Sequence, residues 1–514
     1  MINNSLRLAL AAIPIALALG PRPAAQAQPP PSEVISPVET DSGSPGAGAA
    51  EPIANPGFDL SSLWAPGGLT SDAAAERAVS TAPSLERVRA AVAVAEAGSR
   101  RAWLGVLPRL DLSARYTRLS NVDQGGLTGG GPVDLSGIAV TIDSVTDPAA
   151  RELFNFFLAQ SQALANFEFP VILNQYALRA SVSYPVSDLF LTILPAYRAT
   201  NHFAEAERTR GEAERRTVAL SAREAFFSFA RARGASVVAA SAVQQVEAHR
   251  AQVEALVNAG VAARVDLMRV DAQLASARVG VARAQGGAAI AGHALRMLLH
   301  LPAEAEVSVG EDLTQPPPPV TASRAELLSR ALAEREELRA MDRLVAGREG
   351  LVSVTSGQRF PHLAVAANFD LANPNQRIFP QNEEFRGTWD VSAVLSWSPN
   401  DLLSGNAGMS SAEAELVQAR ADRDALRDGV RFEVDRAYEG YLTAQAALEA
   451  AQMGIDAAEE TWRVRSEQLD AGTAVTSDMI DSEAEVTRSR LDLLDALIDL
   501  HVAHARLRRA AVLP

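Results

Sequence analysis

Three aspartates stand out among the side chains that could do chemistry, because each follows a glycine at a fixed distance within a long helical stretch. Asp266 lies six residues after Gly260, and Asp478 and Asp481 lie six and nine residues after Gly472. A glycine that interrupts a helical pattern marks a turn, so these acids stand near the start of a returning helix. In that position an aspartate can cap the helix or interact with the positive end of its dipole.

The other reactive side chains form no catalytic or metal-binding pattern. His501 and His504 have the i, i+3 spacing of one helix face, but no cysteine or third ligand lies near them, so a solvated helix is the simpler interpretation. No nucleophile motif, phosphate-binding loop or carboxylate pair stands out from the helical charge pattern. The sequence therefore predicts neither an enzyme nor a bound cofactor or metal.

The N-terminal residues predict an exported protein. An apolar segment at 8–19 is followed by a small-x-small cleavage site, so residues 1–27 are interpreted as a signal peptide. Residues 28–68 are rich in Pro, Gly and Ser and are expected to form a disordered linker. The absence of cysteine excludes disulfides and a lipid anchor on an N-terminal cysteine. The net charge of −15 argues against a nucleic-acid partner.

Two proline-free stretches dominate the rest of the chain. The first, between Pro195 and Pro302, has 106 residues, and the second, which follows Pro399, has 114; both are dense in residues that favour helices. Divided once each, they predict long helical hairpins at about 195–301 and 400–513, with helices of roughly 50 to 60 residues. Such helices need lateral support, as in a coiled coil or a helical barrel.

The two stretches are copies of one unit. A shift of 212 residues places Gly260 on Gly472, together with the aspartate six residues after each, and the register holds without a gap for about 75 residues. Chance helical composition would rarely produce this match. The chain is therefore predicted to contain an internal tandem duplication, with structural repeats at 69–302 and 303–514.

Two short segments with strict two-residue alternation precede each long stretch. They predict strands at about 109–119, 175–185, 362–371 and 388–397, each with one apolar and one polar row. Aromatic residues stand near the ends of the apolar rows: Tyr116, Tyr176, Tyr184, Phe369, Trp389 and Trp397. Taken alone, this alternation fits a half-buried soluble sheet as well as a membrane barrel.

The context of the strands favours the membrane. Aromatic residues at the ends of apolar rows suit the two interfaces of a bilayer, and nine or ten residues let a tilted strand cross it. No later stretch reaches the roughly 18 apolar residues of a membrane helix. Because four strands cannot close a barrel, we expect an α+β membrane protein that oligomerises, with eight strands from two chains or twelve from three.

Several short motifs follow one another in a fixed order over residues 69–514. They are Leu69-Thr70-Ser71-Asp72-Ala73, Pro83-Ser84-Leu85, Leu107-Pro108-Arg109-Leu110 with its repeat Phe360-Pro361-His362-Leu363, Tyr184-Pro185-Val186 and Trp397-Ser398-Pro399. Together with the duplication, they resemble the TolC-type outer-membrane efflux proteins. The resemblance implies a homotrimer with a 12-stranded outer-membrane β-barrel, continued by a long α-helical barrel across the periplasm.

The same resemblance implies the surroundings and the function. Shorter helices at about 71–106 and 322–356 would form an equatorial domain around the helical barrel. The chain would be the outer-membrane channel subunit of a tripartite efflux or type I secretion system in a Gram-negative bacterium, embedded in outer-membrane lipid. An inner-membrane transporter of RND or ABC type would deliver substrates through a periplasmic adaptor, which the turns at Gly260 and Gly472 would contact. The channel itself would be a passive duct.

The resemblance also places the three aspartates at a narrow periplasmic aperture. Three copies of each would form rings that favour cations, because fixed charge of one sign in a constriction selects ions. For Asp481, which lies further into its helix, this role is favoured over capping. Family members with a latched aperture have an arginine and an aromatic residue where Ala474 and Leu469 stand here. Other contacts, such as Arg264 with an acid, would then hold the closed state, or the duct is less tightly shut.

Two other architectures compete with the duct. A periplasmic adaptor also has long helices, but it has one hairpin between compact β domains. A coiled-coil structural surface protein requires unbroken heptads, which Gly260 and Gly472 interrupt. A segment at about 121–174 has no counterpart in the second repeat, and it is expected to be an external loop at the mouth or a disordered insertion.

Overall fold

The computed structural model describes residues 64–120, 145–165, 172–471 and 473–513. The predicted signal peptide, residues 28–63 of the predicted linker, and Gly472 lie outside these ranges. Within them, one antiparallel sheet is combined with long helices, as the alternation and the proline-free stretches indicate.

The sheet contains four strands in the order β2-β3-β4-β5, each antiparallel to its neighbours. The strands are β2 (Arg109–Arg118), β3 (Asn174–Pro185), β4 (His362–Asn373) and β5 (Arg386–Ser396). Their bounds lie within two residues of those read from the alternation, because period-two patterning extends over nearly the whole of each strand. The order is linear, so β2 and β5 are the two edges.

Four helices make up the two hairpins. They are α4 (Leu194–Asn258), α5 (Arg264–Leu298), α8 (Pro399–Asp470) and α9 (Thr476–Ala510). The predicted near-equal division is wrong, because α4 and α8 have 65 and 72 residues whereas α5 and α9 have 35 each. At 1.5 Å per residue, the first helix of each hairpin is about 100 Å long and the second about 52 Å.

The shorter helices of the two hairpins end in the same way. Each is followed by a residue with positive φ, His300 at 51° and Val512 at 55°. The next N–H then donates to the carbonyl five residues earlier, at 2.9 Å and 2.8 Å, as in a Schellman turn. A β-branched valine is strained in this backbone conformation, so Val512 is held there by the packing around it.

Short helices occupy the remaining length beside α4 and α8. They are α1 (Ser71–Thr81), α2 (Pro83–Leu104), α6 (Arg324–Glu334) and α7 (Glu336–Gly357). The chain is extended at Ala82 and Arg335, which divides each predicted equatorial segment into two helices. Helices α1 and α2 pack on α4, α6 packs on α8, and α7 packs on both, so α2 and α7 continue the lateral packing that α5 and α9 provide further along.

A strand that the sequence did not predict precedes α1. β1 (Trp64–Leu69) forms parallel bridges with Val309, and it includes residues 64–68 of the predicted linker. The segment was predicted to be a linker because Pro and Gly are uncommon in strands. The glycines nevertheless have a structural cause. A Cβ on Gly68 would lie 2.7 Å from the backbone nitrogen of Gly310, so only glycine permits this approach.

Part of the predicted insertion is helical. Helix α3 (Pro148–Ala165) lies between β2 and β3, whereas residues 121–144 and 166–171 lie outside the described ranges. Leu153, Phe154 and Phe156 are exposed on α3.

Candidate functional site

One face of the sheet is apolar from edge to edge. In the register of the strands, Leu112 stands opposite Ala180, Ala180 opposite Phe369, and Phe369 opposite Trp389. All four apolar rows of the sequence thus lie side by side. Leu112 is 73% exposed and Trp389 75% exposed, so nothing in the described part of the chain covers this face. Such a continuous apolar surface requires a partner of the same polarity.

The six aromatic residues fall toward the two ends of this face. Four lie within four residues of the strand ends farther from the helices: Tyr116, Tyr176, Phe369 and Trp389. The rings of Tyr116 and Tyr176 are 5.1 Å apart. Tyr184 and Trp397 lie where the strands join the helices, and the Trp397 indole donates to the Arg359 carbonyl at 3.4 Å.

The opposite face of the sheet is polar. Arg179 Nε donates to Asp370 Oδ1 at 2.5 Å, and Asn368 Nδ2 donates to Asp390 Oδ2 at 2.9 Å. Serines and further charged residues complete the polar rows. Ionised side chains are costly in a lipid core, so the two faces require different surroundings.

The helices continue the two open edges of the sheet. Near the sheet, the packing order across the chain is α2-α4-α7-α8, and near the hairpin turns it is α5-α4-α9-α8. One side of the chain is thus formed by β2, α2 and α5, and the other by β5 and α8.

Both helical edges carry apolar stripes that no element of the described chain covers. Val279, Ile290 and Met297 are exposed on α5, at spacings of 11 and 7 residues that place them on one stripe. Exposed residues on α8 form a second stripe: Val417, Phe432, Leu442 and Met453. An uncovered stripe on a long helix indicates a missing helical neighbour.

The hairpin turns place two of the three predicted aspartates in the first turn of the returning helices. Gly260 has a φ of 73°, which suits glycine. Ala263 and Val475 are the N-cap residues, and neither makes a side-chain cap. Asp266 and Asp478 are the third residues of α5 and α9, so they are placed to interact with the helix dipole and do not act as N-caps.

The aspartates differ in their partners. Asp478 Oδ2 lies 3.4 Å from Arg465 Nη1 on α8, and Asp266 Oδ1 lies 3.3 Å from Arg269 Nη1 on its own helix. Asp481 is exposed and forms no ion pair with the described residues. The same holds for Arg264, so the suggested contact of Arg264 with an acid is not found within this part of the chain. Arg465, which the sequence argument missed, is the basic residue at the second turn.

Comparison with known proteins addresses the family resemblance. The family model described as outer membrane efflux protein matches residues 327–511. The predicted resemblance is confirmed. Among curated proteins, none matches the sequence.

Solved structures of outer-membrane channels share the fold of the chain. The channel OprN superposes with a TM-score of 0.67 at 19% identity, covering 92% of this chain and 98% of that one. CusC gives a TM-score of 0.69 at 14% identity, with 87% and 93% coverage. The open state of the MtrE channel of Neisseria gonorrhoeae gives 0.66 at 16% identity, with 86% and 88% coverage. The fold of these channels therefore extends over nearly the whole chain.

A buried polar layer lies between the two hairpins. His249 Nδ1 of α4 lies 3.2 Å from Glu483 Oε2 of α9, and both side chains are almost fully buried. Arg490 of α9 is also buried and donates to Glu459 Oε1 of α8 at 3.0 Å. These contacts join three long helices through polar groups of which only Glu459 is partly exposed.

The predicted solvated face at His501 and His504 is wrong. Burial lowers the pKa of His501, whose ring stacks at 5.5 Å from Phe227. Burial, assisted by the charge of Arg508, lowers the pKa of His504 to about 4. Both histidines are therefore neutral packing residues at pH 7.

Two further features are absent from the described residues. No group of three or more His, Cys, Asp or Glu side chains there is arranged to hold a metal ion. None of the described helices combines the length and the apolar character needed to cross a bilayer.

Proposed function

We propose that the chain is the outer-membrane channel subunit of a tripartite efflux or type I secretion system. The observation that carries this proposal is the sheet, whose apolar rows form one uncovered face while its polar rows form the other. Lipid suits the apolar face and water suits the polar one. The resemblance in sequence and the shared fold support the same role.

Closure of the sheet requires other copies of the chain. Open strand edges are not tolerated in lipid, and β2 and β5 are the free edges of the linear sheet. A head-to-tail ring would bring β2, α2 and α5 of one copy against β5 and α8 of the next, which would cover the apolar stripes of α5 and α8.

The width of the barrel interior determines how many copies can form a duct. Two chains would give eight strands, and the interior of an eight-stranded barrel is filled by side chains. Three chains give twelve strands and leave room for a lumen, so we propose a homotrimer. Each chain would add four helices to every level of the helical wall, giving twelve, and the resulting cylinder would extend into the periplasm.

The aromatic residues and the hairpin turns would serve the two ends of this duct. Tyr116, Tyr176, Phe369 and Trp389 would lie at the outer interface of the membrane, and Tyr184 and Trp397 at the inner one. At the other end, we propose that rings of Asp266, Asp478 and Asp481 surround the aperture. The turns at Gly260 and Gly472 would contact a periplasmic adaptor, through which an inner-membrane transporter of RND or ABC type delivers the substrate.

Paired arginine substitutions on β5 test the proposal. Val391 and Ser392 are neighbours on opposite faces of the strand. Arginine costs about 2–4 kcal/mol near the bilayer midplane on a lipid-facing position and much less in a lumen. We expect Val391→Arg to deplete the chain from the outer membrane, while Ser392→Arg and the unchanged chain are recovered there and released only by detergent. Recovery of the unchanged chain in the soluble periplasm would refute the assignment.

A further inference from the structure

The loop between β4 and β5, residues 374–385, turns back over the polar face of the sheet. Its anchor is Asn375, which is only 5% exposed. The Asn375 amide donates to the Arg386 carbonyl at 2.9 Å and to Thr388 Oγ1 at 3.1 Å. Its side-chain oxygen accepts from the Arg377 N–H at 3.0 Å, which directs the chain after it toward the polar side.

Arg377 then fastens the loop to two strands. Its guanidinium donates to Asp390 Oδ1 of β5 at 2.6 Å and lies 4.0 Å from Asp370 Oδ2 of β4. Asp370 is also the partner of Arg179 on β3, and Asp390 is the partner of Asn368. The loop is thus joined to a charged network that extends over three strands, all on the polar face.

The other end of the loop lies on the opposite side of the sheet. The ring of Phe385 is 6.0 Å from that of Tyr176, which belongs to the apolar face. The loop therefore straddles the rim of the sheet, with its Arg377 part on the polar side. This arrangement differs from a loop that extends away from the sheet into solvent.

We propose that this loop is a second constriction, at the outer mouth of the duct, and that Arg377 is its latch. The inference rests on the proposed function, in which the polar face lines the lumen. A loop fastened over that face occupies the passage, and three copies around one axis would narrow it jointly. The constriction would limit passage by size, so bulky solutes would depend on release of Arg377 from Asp390 and Asp370.

Access of an external reagent to a thiol on the polar face of the sheet measures this constriction without involving the periplasmic aperture. Ser183 lies on the polar face of β3, nearer the helices than the latch, and the chain has no other cysteine to react once Ser183→Cys is made. Intact cells would be treated with a small cationic thiol reagent and with a polymer-linked maleimide. We expect the maleimide to react about fivefold faster when Arg377→Ala is added, a factor that corresponds to about 1 kcal/mol, while the small reagent changes little.

Three further variants make the result decisive. Asp390→Asn removes the carboxylate partner of Arg377 and should accelerate the reaction of the maleimide with the Ser183→Cys thiol by a similar factor. Arg386→Ala removes an arginine of the same region, whose one ion pair with the described residues is to nearby Glu384 at 3.2 Å, and it should leave the rate unchanged. Glu383→Cys, on the loop itself, measures the amount of protein whose loop faces the outside of the cell. Each labelling rate is divided by this amount.

Each outcome has one meaning. Faster labelling with Arg377→Ala and Asp390→Asn, but not with Arg386→Ala, supports the latch. Equal rates in all variants, with Glu383→Cys labelled normally, overturn the latch and leave the duct intact. Absence of labelling at Glu383→Cys would overturn the outer-membrane orientation, and the latch with it.

Discussion

Replacing Glu433 by glutamine should weaken the junction of four helices. Arg335, at the break between α6 and α7, is only 3% exposed, and it donates to both carboxylate oxygens of Glu433 on α8, at 2.6 Å and 3.1 Å. Arg509 of α9 donates to the same carboxylate at 2.5 Å. Glutamine keeps the shape but removes the charge, which leaves the buried guanidinium of Arg335 without its main counter-ion.

The magnitude follows from burial and from the remaining partners. Breaking a fully buried ion pair costs about 3–5 kcal/mol. Glu433 is 36% exposed, and Glu337 lies 3.5 Å from Arg335 and remains as a substitute partner. We therefore expect a loss of about 2 kcal/mol. For a chain of this length the unfolding entropy is on the order of 1 kcal/mol/K, so the melting temperature should fall by roughly 2 °C.

The assay is thermal unfolding of the detergent-purified full chain at fixed protein concentration. The matched control is Glu460→Gln, which removes an exposed and solvent-screened pair with Arg463 and should leave the melting temperature nearly unchanged. Equal melting temperatures for Glu433→Gln and this control at pH 7 would show that the Glu433 carboxylate does not stabilise the junction.

The pH dependence of stability tests the role of Glu433 a second time. Burial alone would raise the pKa of Glu433, but the hydrogen bond from Arg335 and the charges of Arg335 and Arg509 outweigh it and hold the pKa below its ordinary value of 4.5. A lowered folded-state pKa gives stability that is present above pH 4.5 and is lost as the pH falls through the folded value. The difference between wild type and Glu433→Gln should therefore shrink below pH 4.5; a widening difference would contradict the account.

Two further predictions concern the aperture and the helix packing. Replacing Asp478 and Asp481 by asparagine should reduce cation preference in single-channel recordings, because fixed negative charge is lost; unchanged selectivity would remove both from the aperture. Gly347→Ala should destabilise the chain by about 1–3 kcal/mol, because the added Cβ would clash with the Phe203 ring. The matched control is Gly429→Ala, whose added Cβ has no neighbour within 4 Å, so this substitution should be neutral or stabilising. Melting temperatures of the two alanine variants distinguish these cases, and equal values would show that the Phe203 ring moves freely.

The sheet was predictable because each strand carries its own signal. Alternation of apolar and polar residues is set by the pleat, so Leu112 and Trp389 reveal the same face although 277 positions separate them. Asp266 and Asp478 could be placed near the start of α5 and α9 because Gly260 marks one turn and the repeat marks the other. Both inferences depend on patterns that can be read from the sequence itself: the two-residue alternation of the strands, and the glycine and the repeat that mark the turns.

Features that depend on contacts between distant segments were not predictable. β1 exists because Gly68 and Gly310 approach each other, and nothing in its Pro- and Gly-rich sequence indicates a strand. The pairing of Arg335 with Glu433 joins residues 98 apart and has no sequence signature among so many charged residues.

In the proposed assembly, the four-stranded sheet closes with copies of itself around a passage. Native mass spectrometry of the complex extracted from the outer membrane with detergent measures the number of copies. We expect a single species with three times the mass of the chain measured under denaturing conditions in the same sample. A complex of two chains would contradict it, because eight strands leave no duct, and a monomer would leave the edges of β2 and β5 open in lipid.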